Sequence, residues 1–337
     1  MKGKRVLVRC DFNVPLDARG EILNDFKIKE TLPTIRYLIE KKAKIILMSH
    51  LGEPQGKVVP ALNLNKVRDR IEKLLDIGIM KSFESVGRDV ENQASRLKRS
   101  EIMLLENLRF RKEEKENNVK FARQLSLLGD IYINDAFASC HRAHASVALV
   151  PALLPSGAGF LLKKELDNLN KILKKPKKPL IAIVGGIKSE TKSRLVDSIS
   201  SIADAVIISG LIKKELLDKN IKLKHQGKII SPEDNLDALD IDEKTMGAFV
   251  KKIASAKTIF WNGPFGRFED EKYKKGTLAI ASAIIASKAF SVVGGGETLE
   301  FLFKEGITGK FSHVSTGGGA MLSYLAGETM PGLEVLK

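Results

Sequence analysis

Cysteine is scarce: Cys10 and Cys140 are the only two in 337 residues. Two cysteines build no disulfide framework, and such sparing use fits a reducing compartment, so a cytoplasmic location is expected. Cys140 precedes His141, but chain neighbours rarely meet as a catalytic dyad, and both thiols read as inert filler. Long apolar runs are also lacking. The longest uncharged stretch, Ala145 to Leu162, is just long enough to raise a membrane helix. It contains Pro151, Pro155, Gly157 and Gly159, and reads instead as a core helix followed by a loop. No charged n-region and apolar h-region open the chain, so neither a signal peptide nor a membrane partner is expected. Short-period repeats and low-complexity segments are missing, and so are the Walker A and Rossmann glycine fingerprints.

Acidic residues fall short as well, 41 against 56 basic ones, for a formal net charge of +15. An excess of that size asks for anionic company, either nucleic acid or phosphorylated metabolites. The lysines come as scattered pairs near predicted helix ends (Lys41-Lys42, Lys213-Lys214, Lys251-Lys252, Lys274-Lys275), a pattern of solvation rather than a binding stripe. The one dense run, Lys174 to Lys178, reads as a linker. Nucleic acid is therefore not the expected partner. The length suggests about two domains, and 43% hydrophobic with 29% charged residues describes an ordinary globular chain.

Glycine is what the chain does have in telling places. Phe290-Ser-Val-Val-Gly-Gly-Gly-Glu-Thr-Leu-Glu-Phe-Leu-Phe303 reads as strand, turn and helix. Three glycines let backbone approach a ligand closely, and the helix that follows aims free N–H groups and its positive end at the same place. One such turn alone is more simply a tight turn. A second, Phe311-Ser-His-Val-Ser-Thr-Gly-Gly-Gly-Ala320, follows about twenty residues later, and ligands of open α/β sheets sit at the carboxyl ends of strands. Leu180 to Lys192 repeats the pattern with Gly185-Gly186 and two lysines, Lys188 and Lys192, four apart and able to share one anion.

Apolar strands are predicted at Arg5–Cys10, Ile45–Met48, near Ile79, Ile102–Leu105 and Ile131–Ile133. In the second half they fall at Leu180–Val184, Val206–Ile208, about Lys228–Ile230, Thr258–Phe260, Phe290–Val293 and Ser312–Val314. Helical segments alternate with them. One has a face of Leu32, Ile35, Leu38 and Ile39 with Pro33 in its first turn; a long one spans about Phe160 to Leu173. The alternation argues an α/β fold: two doubly wound, Rossmann-like parallel-sheet domains joined by a hinge helix. In the first half, Asp11, Asn13, His50, Arg109, Arg142 and His144 cluster at strand ends, where two arginines suit phosphate or carboxylate. His141 and His144 lack a third metal ligand. One half thus offers arginines for a small anion, the other glycine loops and lysines for a nucleotide.

These residues carry a resemblance. Val8-Arg-Cys-Asp-Phe-Asn-Val-Pro15, Met48-Ser-His-Leu-Gly52, Leu105-Glu-Asn-Leu-Arg-Phe110, Asn134-Asp-Ala-Phe137 with His141-Arg-Ala-His144, Val184-Gly-Gly186 with Lys188 and Lys192, Trp261-Asn-Gly-Pro264, Gly294-Gly-Gly296 and Ser312 to Ala320 stand in the order found in phosphoglycerate kinases. The chain resembles that family over nearly its full length.

The resemblance implies reversible phosphoryl transfer between 1,3-bisphosphoglycerate and MgADP, giving 3-phosphoglycerate and MgATP. It implies a glycerate-binding domain over 1–158, a connecting helix over 159–174, a nucleotide domain over 175–322, and a tail, 323–337, returning to the first domain. Asp11, Phe12, Asn13, His50, Leu51, Gly52, Arg109 and Arg142 would bind 3-phosphoglycerate. Gly186, Lys188, Lys192, Asn262, Pro264, Glu269, Gly295, Gly296, Glu297 and Thr298 would hold the nucleotide, with Glu297 toward Mg²⁺. Lys188, Lys27 and the backbone near Gly295 and Gly318 would serve the transfer itself. A monomer whose halves close to align the substrates is expected.

The departures from the family pattern are specific. Lys27 and Glu53 each stand where the family has arginine, Glu297 replaces an aspartate, Ser209 interrupts a glycine-rich turn, and Asp242-Glu243 replaces Gly-Pro. They open a second reading, a degenerate kinase kept as an anion- or nucleic-acid-binding protein. Retention of Lys188, Lys192, Arg109, Arg142 and both triple-glycine loops favours the enzyme.

Overall fold

The computed structural model describes residues 1–186 and 190–336, which fall into two compact units, one of residues 1–164 and the chain from Met330 on, the other of Glu165–Thr329. Each unit is built on a six-stranded parallel sheet. In unit 1 the strands are β1 (Arg5–Cys10), β2 (Lys44–Met48), β3 (Ile79–Lys81), β4 (Ile102–Leu104), β5 (Ile131–Asp135) and β6 (Ser156–Ala158), ordered β3-β4-β2-β1-β5-β6. In unit 2 they are β7 (Leu180–Val184), β8 (Ala205–Ile208), β9 (Ile229–Ile230), β10 (Thr258–Asn262), β11 (Phe290–Gly294) and β12 (His313–Val314), ordered β12-β11-β10-β7-β8-β9. Unbroken apolar strands such as Leu180-Ile-Ala-Ile-Val184 are buried along their whole length, because helices cover both faces of a parallel sheet.

Three local readings are corrected. The first helix begins at Phe26 and runs to Glu40, so Pro33 lies in its interior. The helix tolerates it because its buried face of Ile28, Leu32, Ile35 and Leu38 packs into the sheet, and tertiary packing overrides propensity. A helix at Arg88–Arg96 escapes the sequence reading, since among its buried residues are only Val90 and Ala94. The stretch after Ala145 is a turn of π-helix (Ala145–Leu149), a short α-helix (Val150–Leu153) and the edge strand β6. Glycines and an edge position hide such a strand from periodicity.

The long helix Phe160–Leu173 starts in unit 1, and the boundary between units falls within it, after Lys164. Residues 323–329 stay with unit 2, where the Tyr324 hydroxyl donates to Asn170 at 3.1 Å and Ser198 Oγ to the Ala326 carbonyl at 3.2 Å. The return to unit 1 begins at Met330. There Gly332 N donates to the Cys140 carbonyl at 2.9 Å and Asn134 Nδ2 to the Gly332 carbonyl at 3.1 Å. Any side chain at 332 would strike Val147, its Cβ 2.5 Å from Cγ1.

The start of the long helix rests on a buried carboxylate. Asp135 Oδ1 accepts the N–H groups of Leu161 (2.9 Å) and Leu162 (3.2 Å), while Oδ2 is buried without a hydrogen-bond partner. Burial outweighs these hydrogen bonds and pushes the Asp135 pKa up to about 6. A raised carboxyl pKa means that the native state binds the proton more tightly than the unfolded chain, so this group's contribution grows as pH falls from about 6 toward 4. At pH 7.5 ionisation costs about 3 kcal/mol. Asp135→Asn keeps an acceptor for the two amides without the charge. It is expected to be more stable than the parent at pH 7.5 and to lose that advantage by pH 4.5. Urea melts of both proteins at the two pH values check the difference.

Candidate functional site

In unit 1 four adjacent strands, β4, β2, β1 and β5, end side by side, and each delivers polar groups to the same edge. After β1 come Asp11, Phe12 and Asn13. Asp11 Oδ2 accepts from Lys27 Nζ at 2.7 Å, so the lysine that stands for an arginine is held by the first strand end. Asn13 Oδ1 accepts the Gly52 N–H at 2.9 Å, tying that loop to the one after β2. Gly52 has φ +64°, and a Cβ there would meet Leu62 at 2.8 Å, which accounts for glycine at this bend. Phe12 and Leu51 are different: both side chains belong to the apolar core, leaving only their backbone for the site. Phe12 N donates to Ser49 Oγ at 2.8 Å, and the Leu51 carbonyl accepts from Asn107 Nδ2 at 2.7 Å.

Arg109, just after β4, is buried and already paired within unit 1. Its side chain is 4% exposed, and Nη1 donates to the Gly52 carbonyl at 2.8 Å and to Glu53 Oε1 at 2.5 Å. Glu53 is half exposed and takes Lys115 with its other oxygen at 3.1 Å. The reversed charge at position 53 thus faces the site and is neutralised there. Arg109 Nε is buried with no hydrogen-bond partner among the described residues. Arg142, after β5, is exposed, its Nε donating to His141 Nε2 at 3.2 Å.

Two histidines complete the cluster, and both are neutral. Burial, then Arg9, Arg109 and Lys27, hold His50 well below its usual pKa. Burial and Arg9, Arg109 and Arg142 lower His144 to about 3. The positive charge at this edge therefore comes from arginine and lysine alone and does not change as imidazoles normally titrate. Sequence reasoning missed Arg9, Glu114, Lys115 and Ser146, which stand behind the site. The signal was an arginine within an otherwise apolar strand, Val6-Leu-Val-Arg-Cys10.

In unit 2 the sheet order reverses between β7 and β10, and a cavity of about 610 Å³ opens beside the loops that end those strands. That is where open parallel sheets bind ligands. Gly186, Pro264, Glu269 and Glu297 line it, as do Ser209 and Asp240. The two loops are laced together: Gly185 N donates to the Asn262 carbonyl at 2.8 Å and Gly186 N to the Pro264 carbonyl at 2.6 Å. Lys192 Nζ reaches back to the Gly185 carbonyl at 2.8 Å. Burial lowers its pKa and the charge of Glu297 opposes that shift, which keeps a desolvated cation at the loop. Lys188 lies outside the described residues.

The glycine turns close round one another. Gly295 has φ +109° and opens the helix Gly296–Lys304, with Glu297 in its first turn. A Cβ on Gly318 would come within 3.0 Å of Gly295 Cα, so the triple-glycine turns after β11 and β12 touch. Asn262 and Thr298 brace these turns. Asn262 Nδ2 donates to the Gly294 carbonyl at 2.9 Å, and Thr298 Oγ1 accepts the Gly263 N–H at 2.8 Å. Asp242 caps the helix Glu243–Ala254, accepting from Thr245 N at 2.8 Å and Thr245 Oγ1 at 3.0 Å. Asp240 is held by the Gly276 and Ile241 amides, in space left by Gly266 and Gly276. That use of glycine was not legible without the fold.

Two parallel α/β units, one with a cationic strand edge and one with a glycine-lined cavity at its switch point, define a protein that handles anionic phosphorylated ligands. Comparison with known proteins narrows the class. A family model described as phosphoglycerate kinase matches residues 1–226 and 213–328. The phosphoglycerate kinases of Chlorobium phaeobacteroides and Moorella thermoacetica are each 40% identical to this chain, covering 99% and 100% of it and 97% of either relative. Among solved structures, phosphoglycerate kinase from Pyrococcus horikoshii gives a TM-score of 0.87 at 32% identity, and that from Coxiella burnetii 0.83 at 34%; both comparisons cover 99% of this chain and 96% of the other. The chain belongs to the phosphoglycerate kinase family, and is a phosphotransferase. The Chlorobium alignment runs over 384 positions against 337 residues here, so that relative carries at least 384 − 337 = 47 positions without a counterpart in this chain. The reading as a degenerate anion- or nucleic-acid-binding relative finds no support in these likenesses.

Proposed function

We propose that this chain catalyses reversible phosphoryl transfer between 1,3-bisphosphoglycerate and ADP, giving 3-phosphoglycerate and ATP, as a cytoplasmic monomer. Unit 1 takes the glycerate ligand and unit 2 the nucleotide. The observation that carries the reading is the edge of unit 1, where Lys27, Arg109 and Arg142 stand round two neutral histidines and Arg109 Nε lacks a partner.

In the ATP-consuming direction the attacking group is a carboxylate, ionised at neutral pH, so no general base is needed. Catalysis then consists of alignment and neutralising the charge on the transferred group. Arg109 and Arg142 bind the glycerate phosphate and carboxylate. His50 donates a neutral hydrogen bond, and Lys27 brings charge while held by Asp11. In unit 2, Lys192 and the amides of the glycine turns hold the nucleotide phosphates, and Lys188 neutralises the group in transit. Mg²⁺ fits this donor set. Among the described residues no cluster of three potential ligands could hold a metal by itself, whereas Glu297 beside the cavity suits an ion that arrives on the nucleotide phosphates. When bound with the nucleotide, the ion would supply neutralisation of phosphate charge. The helix Phe160–Leu173 is the hinge by which the two ligands come in line.

A coupled assay with 3-phosphoglycerate, magnesium and a panel of nucleoside triphosphates tests the proposal. Turnover with at least one triphosphate is expected; none with any would overturn it. Glu53 gives a second test. Its carboxylate occupies the fork of Arg109 and competes with the substrate anion for it. Glu53→Gln is expected to lower the Michaelis constant for 3-phosphoglycerate about twofold to fivefold, the worth of one surface-exposed competing charge. Glu53→Arg should lower it further, with the constant for MgATP unmoved in both. Steady-state kinetics at fixed ionic strength check the outcome.

A further inference from the structure

Arg9 sits on the central strand β1, is fully buried, and spends every arm of its guanidinium. Nε donates to Ser146 Oγ at 2.8 Å, Nη1 to the carbonyl of Cys10, and Nη2 lies 3.1 Å from His50 Nδ1. Glu114, equally buried, stands 4.0 Å from Nη2. It accepts from the Ser146 hydroxyl at 2.5 Å and the Ser146 amide at 2.9 Å, so Arg9 is fixed from two sides. A guanidinium offers only donors and stays charged. The ring nitrogen that meets it must therefore present a lone pair. For His50 this assigns Nδ1 as acceptor and leaves the ring proton on Nε2. No described residue hydrogen-bonds that Nε2 edge.

We propose that Arg9 is a positioning residue of the glycerate half-site: by donating to His50 Nδ1 it locks the imidazole neutral with its proton on Nε2, so that His50 meets the ligand as a hydrogen-bond donor. The inference rests on the reading of unit 1 as the glycerate site. It adds a role for a residue that touches no ligand. The groups with the largest electrostatic effect on His50 are Arg9, Arg109, Lys27 and His144. The carboxylates of the cluster are each matched to one of those cations, Asp11 to Lys27, Glu53 to Arg109 and Glu114 to Arg9, and none hydrogen-bonds the ring. A site with this arrangement binds its anion with the same charge across the pH range in which a free imidazole would titrate.

The test has two arms. In the first, nitrogen-15 spectra of the histidine rings in the intact protein report the tautomer directly. The Nε2–H form of His50, unchanged from pH 8 to pH 5.5, is expected. An Nδ1–H form, or titration near the ordinary histidine value, would overturn the proposal. In the second, Arg9→Lys keeps a positive charge near Glu114 but cannot serve Ser146, Cys10 and His50 together. The expected result is a Michaelis constant for 3-phosphoglycerate raised about tenfold at pH 8, the worth of one hydrogen bond. In nitrogen-15 spectra of this variant the freed His50 ring should show the Nδ1–H form beside the Nε2–H form, with turnover number and the constant for MgATP nearly unchanged. A purely structural role would lower stability and leave the His50 tautomer unchanged, and this result would also overturn the proposal. Should Arg9→Lys fail to fold, the spectra of the parent still decide. Should the parent bind no 3-phosphoglycerate, the reading of the half-site fails while the tautomer assignment is judged by its own spectra.

Discussion

Lys188→Ala is expected to lower the turnover number at least a thousandfold while leaving both units folded. Transfer between a carboxylate and a nucleotide involves no proton abstraction, so almost all of the acceleration comes from fixed positive charge opposite the moving group. Removing one such charge from a phosphoryl-transfer site costs about 10³–10⁵ in rate. Position 188 lies between Gly186, which lines the cavity, and Lys192, whose ammonium is tied to the Gly185 carbonyl. Lys192 does not take over, because it is anchored to the Gly185 carbonyl and assigned to the nucleotide phosphates rather than to the group in transit. Michaelis constants for both substrates should move less than tenfold, since the lost interaction is made mainly in the transition state. A turnover number within a factor of ten of the parent, with unchanged thermal stability, would sink the assignment of Lys188.

Gly263→Ala should strongly destabilise unit 2, although it adds only a methyl group. Gly263 has φ +92°, and a Cβ there would lie 2.1 Å from the Gly185 carbonyl oxygen. Gly185 is equally constrained, since its own Cβ would lie 2.4 Å from the Pro264 carbonyl oxygen. The loops after β7 and β10 thus cross with backbone against backbone, and the obstacle is not a flexible side chain that could swing aside. A left-handed backbone and overpacking together are worth about 4 kcal/mol or more. Gly247→Ala, inside the helix Glu243–Ala254 with nothing within 4 Å of the new Cβ, is the control and should be neutral or slightly stabilising. Trp261, the only tryptophan, is buried in unit 2, so its emission follows the unfolding of that unit alone. Denaturation midpoints for Gly263→Ala and Gly247→Ala that coincide would refute the crossing as the source of the constraint. Nucleotide binding should be lost with the fold of unit 2, while 3-phosphoglycerate binding by unit 1 persists.

Much of the site was legible because strand ends are legible. Apolar runs that stop at Asp11, His50 or Arg109 say where backbone leaves a buried sheet, and polar side chains gathered there have few reasons other than a ligand. Gly294-Gly-Gly296 reads in the sequence as backbone open to a ligand; in the structure Gly295 lies against Gly318 of the second glycine turn. What escaped was pairing. Glu53 stood in the sequence as a misplaced charge, and its neutralisation by Arg109 and Lys115 requires knowing that the ends of β2 and β4 are neighbours. Arg9 looked like one polar letter in an apolar strand, although it anchors the histidine of the site. The sequence reading puts Pro33 in a first turn, whereas packing carries the helix back to Phe26.

The amino-acid order by itself determined the alternation of strand and helix, the two-unit α/β architecture, the glycine turns and the family. Those depend on local periodicity and backbone freedom, which are written along the chain. Only the tertiary structure decided which charges cancel, which histidine nitrogen carries its proton, and which glycines are irreplaceable. Such properties belong to groups separated by tens or hundreds of residues, and they exist only once β4, β2, β1 and β5, or β7 and β10, lie side by side.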